Sequence, residues 1–222
     1  MIRGERSKEL NSTLAHAESC GMKLIFIDRT SYRLKKEIVF QNQLTKRFGR
    51  IYILPEGGTN KLALQGCAEI PKEVSQQLTD ISVTHWLSAC GTGGTFAGLV
   101  KGMKESAQAI GISVLKGDFM KAEVNGLLEA TSFTASRNWR IENNFHHGGY
   151  AKHSPELITF INQFKTDFGI PLDPIYTGKL FFALWQLIKA DYFPKGATIC
   201  AVHTGGLQGI AGFNQRFGRV IV

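Results

Sequence analysis

Segments with the composition of β-strands alternate with helical segments along this chain, and this alternation constrains its fold most strongly. The strand-like runs begin with residues 2–3 and continue with KLIFID (23–28), RIYILP (50–55), ISVTHWLS (81–88), ISVLKG (112–117) and ATICAVH (197–203). Helices are expected between them, over residues 10–21, 34–49, 61–78, 96–106, 120–130, 155–169 and 179–190. Such alternation predicts an α/β fold with a mainly parallel sheet.

The segment ACGTGGTFAGL (89–99) places Gly91, Gly93 and Gly94 between a predicted strand and a predicted helix. Glycines at such a junction let an anion approach the unpaired N–H groups of the first helical turn. Thr92 and Thr95 add hydroxyl groups. The spacing fits neither the dinucleotide motif GxGxxG nor the Walker motif. The loop therefore predicts a phosphate site, with a tight turn and close helix packing as the alternative.

Two later segments, PIYTGKL (174–180) and VHTGGLQG (202–209), also combine hydroxyl groups and glycines at the end of a strand or the start of a helix. Ligands of α/β proteins bind at the carboxyl ends of parallel strands. The three junctions together predict one pocket at that edge of the sheet.

Composition argues against several other classes of protein. The 222 residues contain no apolar run long enough to cross a membrane, and the amino terminus does not resemble a signal peptide. The four cysteines are widely spaced, which indicates thiols in a reducing compartment rather than disulfides or a zinc site. We therefore expect a cytoplasmic protein without a metal.

The net charge of +8 is concentrated in the first fifty residues, which hold eleven Lys or Arg and five Asp or Glu. Such an excess fits either a nucleic-acid patch or basic residues on solvated helix faces. No nucleic-acid motif accompanies it, so the second interpretation is favoured and no nucleic-acid partner is expected.

The motifs PEGGTN, CGTGGTFAGL, GGY, DPIYTGK and HTGG follow one another in an order that resembles the D-cysteine desulfhydrase and 1-aminocyclopropane-1-carboxylate deaminase family. The resemblance implies pyridoxal 5'-phosphate as cofactor and a three-layer open parallel sheet of fold type II, the tryptophan-synthase β-subunit fold. It also implies a deaminase or lyase acting on a small amino acid, with a homodimer as the candidate assembly. Residues 1–50 would belong to the smaller βαβ domain and residues 51–222 to the larger, cofactor-binding domain.

The resemblance also assigns roles to individual residues. The loop Gly91–Thr95 would cradle the cofactor phosphate, and the Thr204 hydroxyl would face the pyridine nitrogen. Tyr176 would lie beside the substrate and take part in acid–base or nucleophilic steps. Tyr150 would be a second active-site tyrosine. The alternatives are a capping hydroxyl for Thr204 and ordinary loop packing for Tyr150.

Several residues distinguish the branches and forms of this family. Thr177 stands where the deaminase type has a glutamate, which favours the desulfhydrase-like branch. His146 and His147 lack a third ligand at a suitable spacing and are interpreted as a polar loop. Lys179 is not expected to be the cofactor lysine, because the family carries that lysine in a GNKxRKL-like segment preceding the point that matches Ile2.

That segment does not occur in the sequence, so the chain is expected to correspond to the carboxyl-terminal two-thirds of the family, truncated and inactive by itself. Two alternatives to an enzyme stay open. One is a non-catalytic pyridoxal-phosphate-binding remnant or subunit, and the other is a basic nucleic-acid binder.

Overall fold

A computed structural model describes residues 1–6, 9–133 and 138–222 of the protein. Internal contacts divide the chain into two compact units, Met1–Leu54 and Pro55–Val222. Among the helices of the described residues, none combines the length and the apolar composition needed to cross a lipid bilayer.

The first unit contains a small parallel sheet of two strands, β1 (Ile2–Arg3) and β2 (Phe26–Ile27). Its helices are α1 (Ser12–Ser19), α2 (Arg29–Arg33) and α3 (Ile38–Phe48), with a 3₁₀ turn at Leu34–Lys36. The strand expected at RIYILP is wrong, because residues 51–55 have no regular structure. Strand-forming side chains do not make a strand without a neighbouring strand to pair with, and Tyr52 and Leu54 of this run are exposed.

The second unit contains a parallel sheet of four strands in the order β5-β4-β3-β6. The strands are β3 (His85–Cys90), β4 (Gln108–Ser113), β5 (Asn138–Glu142) and β6 (Ile199–Ala201). The strand β4 was expected at 112–117, and its observed position is several residues earlier. The strand β5 was not predicted.

Six helices of the described residues accompany this sheet. They are α4 (Lys61–Gln77), α5 (Gly94–Gly102), α6 (Met120–Ala130), α7 (Pro155–Phe168), α8 (Thr177–Lys189) and α9 (Gly209–Phe217), with a 3₁₀ turn at Glu56–Gly58. The helix α9 was not predicted. The other five were, each within a few residues of its observed ends.

Side chains of alternate strand residues enter two different cores. Trp86 packs on one side of the sheet, in a core that includes Phe96 of α5 and residues of α4 and α6. Leu87 and Ile110 pack on the other side, with Leu180 of α8. This alternation follows from the two-residue period of a strand. The sheet therefore lies between two helical layers, and the predicted three-layer α/β fold is confirmed.

The helices α4 and α5 approach each other closely, and glycines make the approach possible. A Cβ atom added to Gly98 would lie 2.3 Å from the Cβ of Cys67, and one added to Gly102 would lie 2.1 Å from the carbonyl oxygen of Ala68. The contact fixes α5 against α4 and thereby positions the glycine loop from which α5 begins.

Candidate cofactor site

A cavity of about 610 Å³ opens beside the carboxyl ends of β3 and β6. Its volume is in the range of pockets that bind small molecules and cofactors. Its lining residues come from separate segments of the second unit: Glu56, Gly57, Ala89, Gly91, Thr92, Gly93, Gly94, Thr95, Leu115, Tyr150, Tyr176, Thr204, Gly205, Gly206 and Gln208. All eight residues singled out as site candidates from the sequence are in this set.

The glycine loop connects β3 to α5 and forms one wall of the cavity. Gly93 has a φ of +79°, a left-handed conformation that favours glycine, and its carbonyl accepts the first intrahelical hydrogen bond of α5 from the Ala97 N–H. The N–H groups that precede Ala97 therefore have no acceptor within the helix. Two of them, on Gly94 and Thr95, belong to residues that line the cavity.

The other two glycines permit close contacts between the loop and its neighbours. A Cβ atom on Gly91 would lie 3.0 Å from Cε1 of Tyr176, and one on Gly94 would lie 2.7 Å from Oγ1 of Thr59. Close packing, which was the alternative interpretation of this loop, is therefore present together with the geometry of an anion site.

The PEGGTN segment packs directly on the glycine loop. The Thr59 and Thr92 hydroxyl oxygens are 2.6 Å apart and share a hydrogen bond. Gly57 has a φ of +73°, and a Cβ atom there would lie 2.8 Å from Cγ2 of Thr92. Thr92 is thus fixed by a side-chain partner, and Thr95, the other threonine of the loop, also lines the cavity.

A buried carboxylate, Asp173, organises the segment that carries Tyr176. Its Oδ1 accepts hydrogen bonds of 2.8 Å from the N–H groups of Ile175 and Tyr176. Its Oδ2 accepts from the N–H and the hydroxyl of Thr177, at 2.8 and 2.7 Å. A negative charge at the start of α8 also interacts favourably with the helix dipole. Asp173 therefore fixes the backbone from which the Tyr176 side chain extends.

Asp173 also lies close to the HTGG segment. Gly206 has a φ of +83°, and a Cβ atom on it would lie 3.2 Å from Oδ2 of Asp173. In the same segment, Nε2 of His203 donates to the Pro171 carbonyl at 3.0 Å, and its Nδ1 accepts from the Gly205 N–H at 3.2 Å. These contacts hold the HTGG backbone beside the start of α8.

The two candidate tyrosines lie next to each other. Their rings meet edge to face with centroids 6.1 Å apart, and the Tyr176 hydroxyl donates to the Tyr150 hydroxyl at 3.4 Å. Burial raises the pKa of Tyr176 above its ordinary value, and the hydrogen bond to Tyr150 adds a smaller contribution in the same direction. Tyr176 therefore holds its proton at neutral pH and can act as a proton or hydrogen-bond donor.

The remaining residues considered from the sequence lie outside this cavity. Thr177 is fully buried, with its hydroxyl bonded to Asp173, and so presents no group to the cavity. Lys179 is also fully buried and does not line it. Nδ1 of His146 accepts from the Gly148 N–H, and Nδ1 of His147 lies 2.9 Å from the Ser154 hydroxyl.

Sequence reasoning missed two structural residues of the site, Asp173 and Thr59. Asp173 could have been found, since an acidic residue a few positions before the first residue of a helix is a recognisable signal of a helix start. Thr59 could not, because its contact with Thr92 joins residues 33 positions apart.

The cavity fits a phosphorylated cofactor of the size of pyridoxal phosphate. The helical N–H groups at the start of α5 and the Thr95 hydroxyl are suited to a phosphate, and no lysine or arginine is among the described lining residues. The Thr204 hydroxyl lies on the same cavity and supplies a neutral polar group. The residues present therefore fit the group that the sequence motifs imply.

Comparisons with known proteins agree with this fit. Residues 6–205 match the family described as "Pyridoxal-phosphate dependent enzyme". The mitochondrial bifunctional D-cysteine desulfhydrase/1-aminocyclopropane-1-carboxylate deaminase of Arabidopsis thaliana is 32% identical over 77% of this chain and 45% of its own length. A putative 1-aminocyclopropane-1-carboxylate deaminase of Pyrococcus furiosus is 33% identical over 75% of this chain and 53% of its own length.

A solved structure is also similar over almost the whole chain. The crystal structure of an ACC deaminase homologue has a TM-score of 0.81 and 26% identity, and the match covers 99% of this chain and 69% of that one. The chain thus spans about half the length of the two curated relatives named above. The expected resemblance and the expected cofactor are confirmed, and the chain belongs to the pyridoxal-phosphate-dependent enzyme family, with fold type II architecture.

Proposed function

We propose that this cavity is the active site of a pyridoxal-phosphate-dependent lyase or deaminase that acts on a small amino acid. The observation that carries the proposal is the convergence of three motifs on one cavity. The glycine loop 91–95, the paired phenols of Tyr150 and Tyr176, and Thr204 all line it. The relatives from Arabidopsis thaliana and Pyrococcus furiosus, whose names give a desulfhydrase/deaminase and a putative deaminase, match about three quarters of the chain.

In this proposal the residues that line the cavity have separate roles. The N–H groups at the start of α5 and the Thr95 hydroxyl bind the phosphate, and the Thr204 hydroxyl faces the pyridine nitrogen. A neutral hydroxyl there does not require the ring to be protonated. The bound cofactor supplies an electron sink for charge at the substrate α-carbon. Tyr176 keeps its proton, and its O–H would turn from the Tyr150 hydroxyl towards the substrate to donate that proton to the departing β-substituent.

We favour the desulfhydrase-like branch, in which a β-substituent is eliminated from an amino acid such as D-cysteine. The deaminase type carries a glutamate at the position of Thr177, and the Thr177 hydroxyl is bonded to Asp173. No carboxylate from this position approaches the cavity, which leaves Thr204 as the polar group for the pyridine nitrogen. This arrangement supports elimination in preference to opening of a cyclopropane ring.

A second candidate, a chain that binds the cofactor without turnover, is favoured by one observation. The described residues that line the cavity include no lysine, and Lys179 is directed into the protein interior. A lysine amine must reach the cofactor aldehyde for covalent attachment. We therefore expect the 222-residue chain by itself to hold pyridoxal phosphate non-covalently, with negligible turnover.

Binding of the cofactor is tested by equilibrium dialysis with pyridoxal phosphate, with pyridoxal as the matched ligand that lacks the phosphate. We expect saturable binding of pyridoxal phosphate and competition by inorganic phosphate. Thr95→Val should weaken binding of pyridoxal phosphate about tenfold, by loss of a hydrogen bond to a charged group, and should leave pyridoxal unaffected. Thr204→Val should weaken the binding of both pyridoxal phosphate and pyridoxal. Equal affinity for pyridoxal and pyridoxal phosphate would contradict the assignment of the glycine loop.

Reaction class is tested by offering D-cysteine and 1-aminocyclopropane-1-carboxylate to the cofactor-loaded protein. Changes in cofactor absorbance and the release of sulfide and ammonia are measured, and borohydride reduction followed by mass spectrometry maps any modified lysine. Stronger spectral change with D-cysteine supports the desulfhydrase-like branch, and preference for the cyclopropane substrate contradicts it. Stoichiometric labelling of one lysine together with turnover would refute the expectation of a non-covalent, inactive chain.

A further inference from the structure

Lys179 is a fully buried lysine in the first turn of α8, and its position is unusual for a residue with a charged side chain. Its Nζ donates to the carbonyl oxygen of Gly149 at 2.7 Å and to that of Val114 at 3.4 Å. The next residue after each of these carbonyls, Tyr150 and Leu115, lines the cofactor cavity. The ammonium group therefore joins α8 to two backbone segments that form cavity walls.

The loop that contains Gly149 has an unusual backbone. Four of the five residues from His147 to Ala151 have positive φ values. The values are +50° at His147, +96° at Gly148, +115° at Gly149 and +54° at Ala151. Positive φ at residues other than glycine costs free energy and persists only where the surroundings enforce it. The amino-terminal part of the loop is also held by His146, whose carbonyl accepts from the Gly149 N–H and whose Nδ1 accepts from the Gly148 N–H. His147 contacts the Ser154 hydroxyl, and the Lys152 N–H donates to the Gly149 carbonyl, the same oxygen that Lys179 binds.

We propose that Lys179 is a positioning residue that holds the 147–151 loop in this conformation and thereby keeps the Tyr150 hydroxyl against the Tyr176 hydroxyl. A charged donor is well suited to the task, because bonds from an ammonium to carbonyl oxygens are about twice as strong as neutral ones. Asp173 fixes the backbone of Tyr176 at the start of the same helix. The start of α8 therefore positions both phenols, that of Tyr176 through the Asp173 carboxylate and that of Tyr150 through Lys179. The inference rests on the proposed function only in its statement that the two phenols face a bound amino acid.

The groups around Lys179 define how this contact depends on pH. Burial lowers the pKa of Lys179 to about 8, and the nearby Asp173 carboxylate offsets part of that effect. Other titratable groups near this loop include His147, whose pKa is lowered by burial, and Glu156 and His146, which interact with it electrostatically. Lys116 and Lys152 also lie against the loop and are exposed. His147 is therefore neutral above pH 7, and a change in the exposed lysines is screened by solvent. Of the groups in contact with the loop, Lys179 is therefore the one expected to change charge between pH 7 and pH 9.5.

The test is amide hydrogen exchange in the protein without cofactor, comparing wild type with Lys179→Met and with Lys189→Met as the matched control. Lys189 is exposed at the other end of the same helix. In Lys179→Met we expect the amides of Gly149 and Lys152 to exchange at least tenfold faster, with β3 and α5 unchanged within twofold. Lys189→Met should match wild type throughout.

A pH series separates positioning by charge from a role in packing alone. When the loop opens, Lys179 stays buried on α8 and loses the Gly149 carbonyl that accepts from its ammonium, so the open state favours the neutral amine. In wild type, after correction for intrinsic exchange rates, protection of the 148–152 amides should therefore fall as the pH rises through about 8. In Lys179→Met it should not depend on pH. The wild-type series also decides the matter if the variant does not fold. Unchanged loop protection in both measurements, or an equal loss of protection across the whole unit, would overturn the proposal.

Cofactor binding distinguishes failure of this inference from failure of the proposed function. Because Lys179 does not line the cavity, Lys179→Met should change the affinity for pyridoxal phosphate less than threefold. Displacement of Tyr150 should weaken binding of D-cysteine to the cofactor-loaded protein at least tenfold. Wild-type protein that binds no pyridoxal phosphate would refute the proposed function and leave the exchange result on the loop intact. An equal loss of cofactor and amino-acid affinity would contradict a role confined to Tyr150.

Discussion

The close contact between α4 and α5 predicts that Gly98→Ala destabilises the protein. The new Cβ would lie 2.3 Å from Cβ of Cys67 and 2.9 Å from the carbonyl oxygen of Leu64. Carbon atoms in contact are normally about 3.5–4.0 Å apart, so the two helices must separate by roughly an ångström. The Leu64 carbonyl belongs to the backbone of α4 and cannot rotate away.

The magnitude follows from two opposing effects. Overpacking of a core costs about 1–3 kcal/mol, and the upper end applies where backbone atoms must move. The gain in helix propensity from glycine to alanine offsets about 1 kcal/mol of this. We therefore expect a net loss of about 2 kcal/mol in the free energy of unfolding, or roughly 4–8 °C in Tm for a unit of this size.

Gly66→Ala is the matched control, because it makes the same chemical change in α4. Gly66 is exposed, and a Cβ atom there would meet nothing within 4 Å. The substitution should stabilise the protein by about 0.5–1 kcal/mol. Urea unfolding followed by circular dichroism measures both variants. Shifts of the same sign and size in the two variants, or wild-type stability in Gly98→Ala, would refute the steric reasoning.

Three other predictions follow from buried polar groups. The Asp173 carboxylate accepts four hydrogen bonds, and Asp173→Asn replaces one of its two acceptor oxygens by an NH₂ group, which cannot accept. The substitution should lower the free energy of unfolding, measured by urea titration, by about 1–3 kcal/mol. Burial raises the pKa of the Cys90 thiol, so a maleimide reagent should label exposed Cys20 within minutes and Cys90 only in denaturant, as read by mass spectrometry. Burial lowers the pKa values of His85 and His147, so the native state binds fewer protons than the unfolded state below their ordinary value of 6.5. Stability should therefore fall as the pH drops from 6.5 to 5, and a flat stability profile over that range would contradict this assignment.

Elements whose signals are local could be predicted closely from the sequence. The helix expected from Pro155 to Gly169 is observed as α7, and its determinants are close in the chain. The Ser154 hydroxyl accepts from the Leu157 N–H, Pro155 occupies the first turn, and Gly169 ends the helix with a φ of +69°. None of these signals depends on the rest of the fold.

The strand β4 was displaced in the prediction because its determinant is not local. Gly111 interrupts the strand-like run in AIGIS, and glycine inside a strand weakens the pattern. In the fold, a Cβ atom at this position would lie 2.6 Å from Cδ1 of Ile141 and 2.7 Å from Sγ of Cys90. Glycine is required there by neighbours on β5 and β3, and a single sequence does not reveal those neighbours.

The strand β5 was missed for a different physical reason. Its sequence NWRIE carries polar residues at several positions, and it lies at the end of the sheet, where β4 is its one neighbour among the described strands. Most of its side chains are half-buried, so the alternation typical of a strand with one buried face is absent. Position at a sheet edge follows from topology, which sequence patterns do not determine.

The glycine loop shows why a candidate site could be located from the sequence while the reason for each residue could not. The motif placed an anion site at the start of α5, and its residues do line the cavity. Yet Gly94 is required by the approach of Thr59 and Gly91 by that of Tyr176, whereas Gly93 is required by its left-handed φ. A bulky residue at Gly94 would therefore disturb Thr59 and its bond to Thr92 before it reached a phosphate. Loss of binding in such a variant could not separate packing from recognition. Removal of the Thr95 hydroxyl, in contrast, tests the proposed contact with the phosphate and leaves the packing of the loop glycines in place.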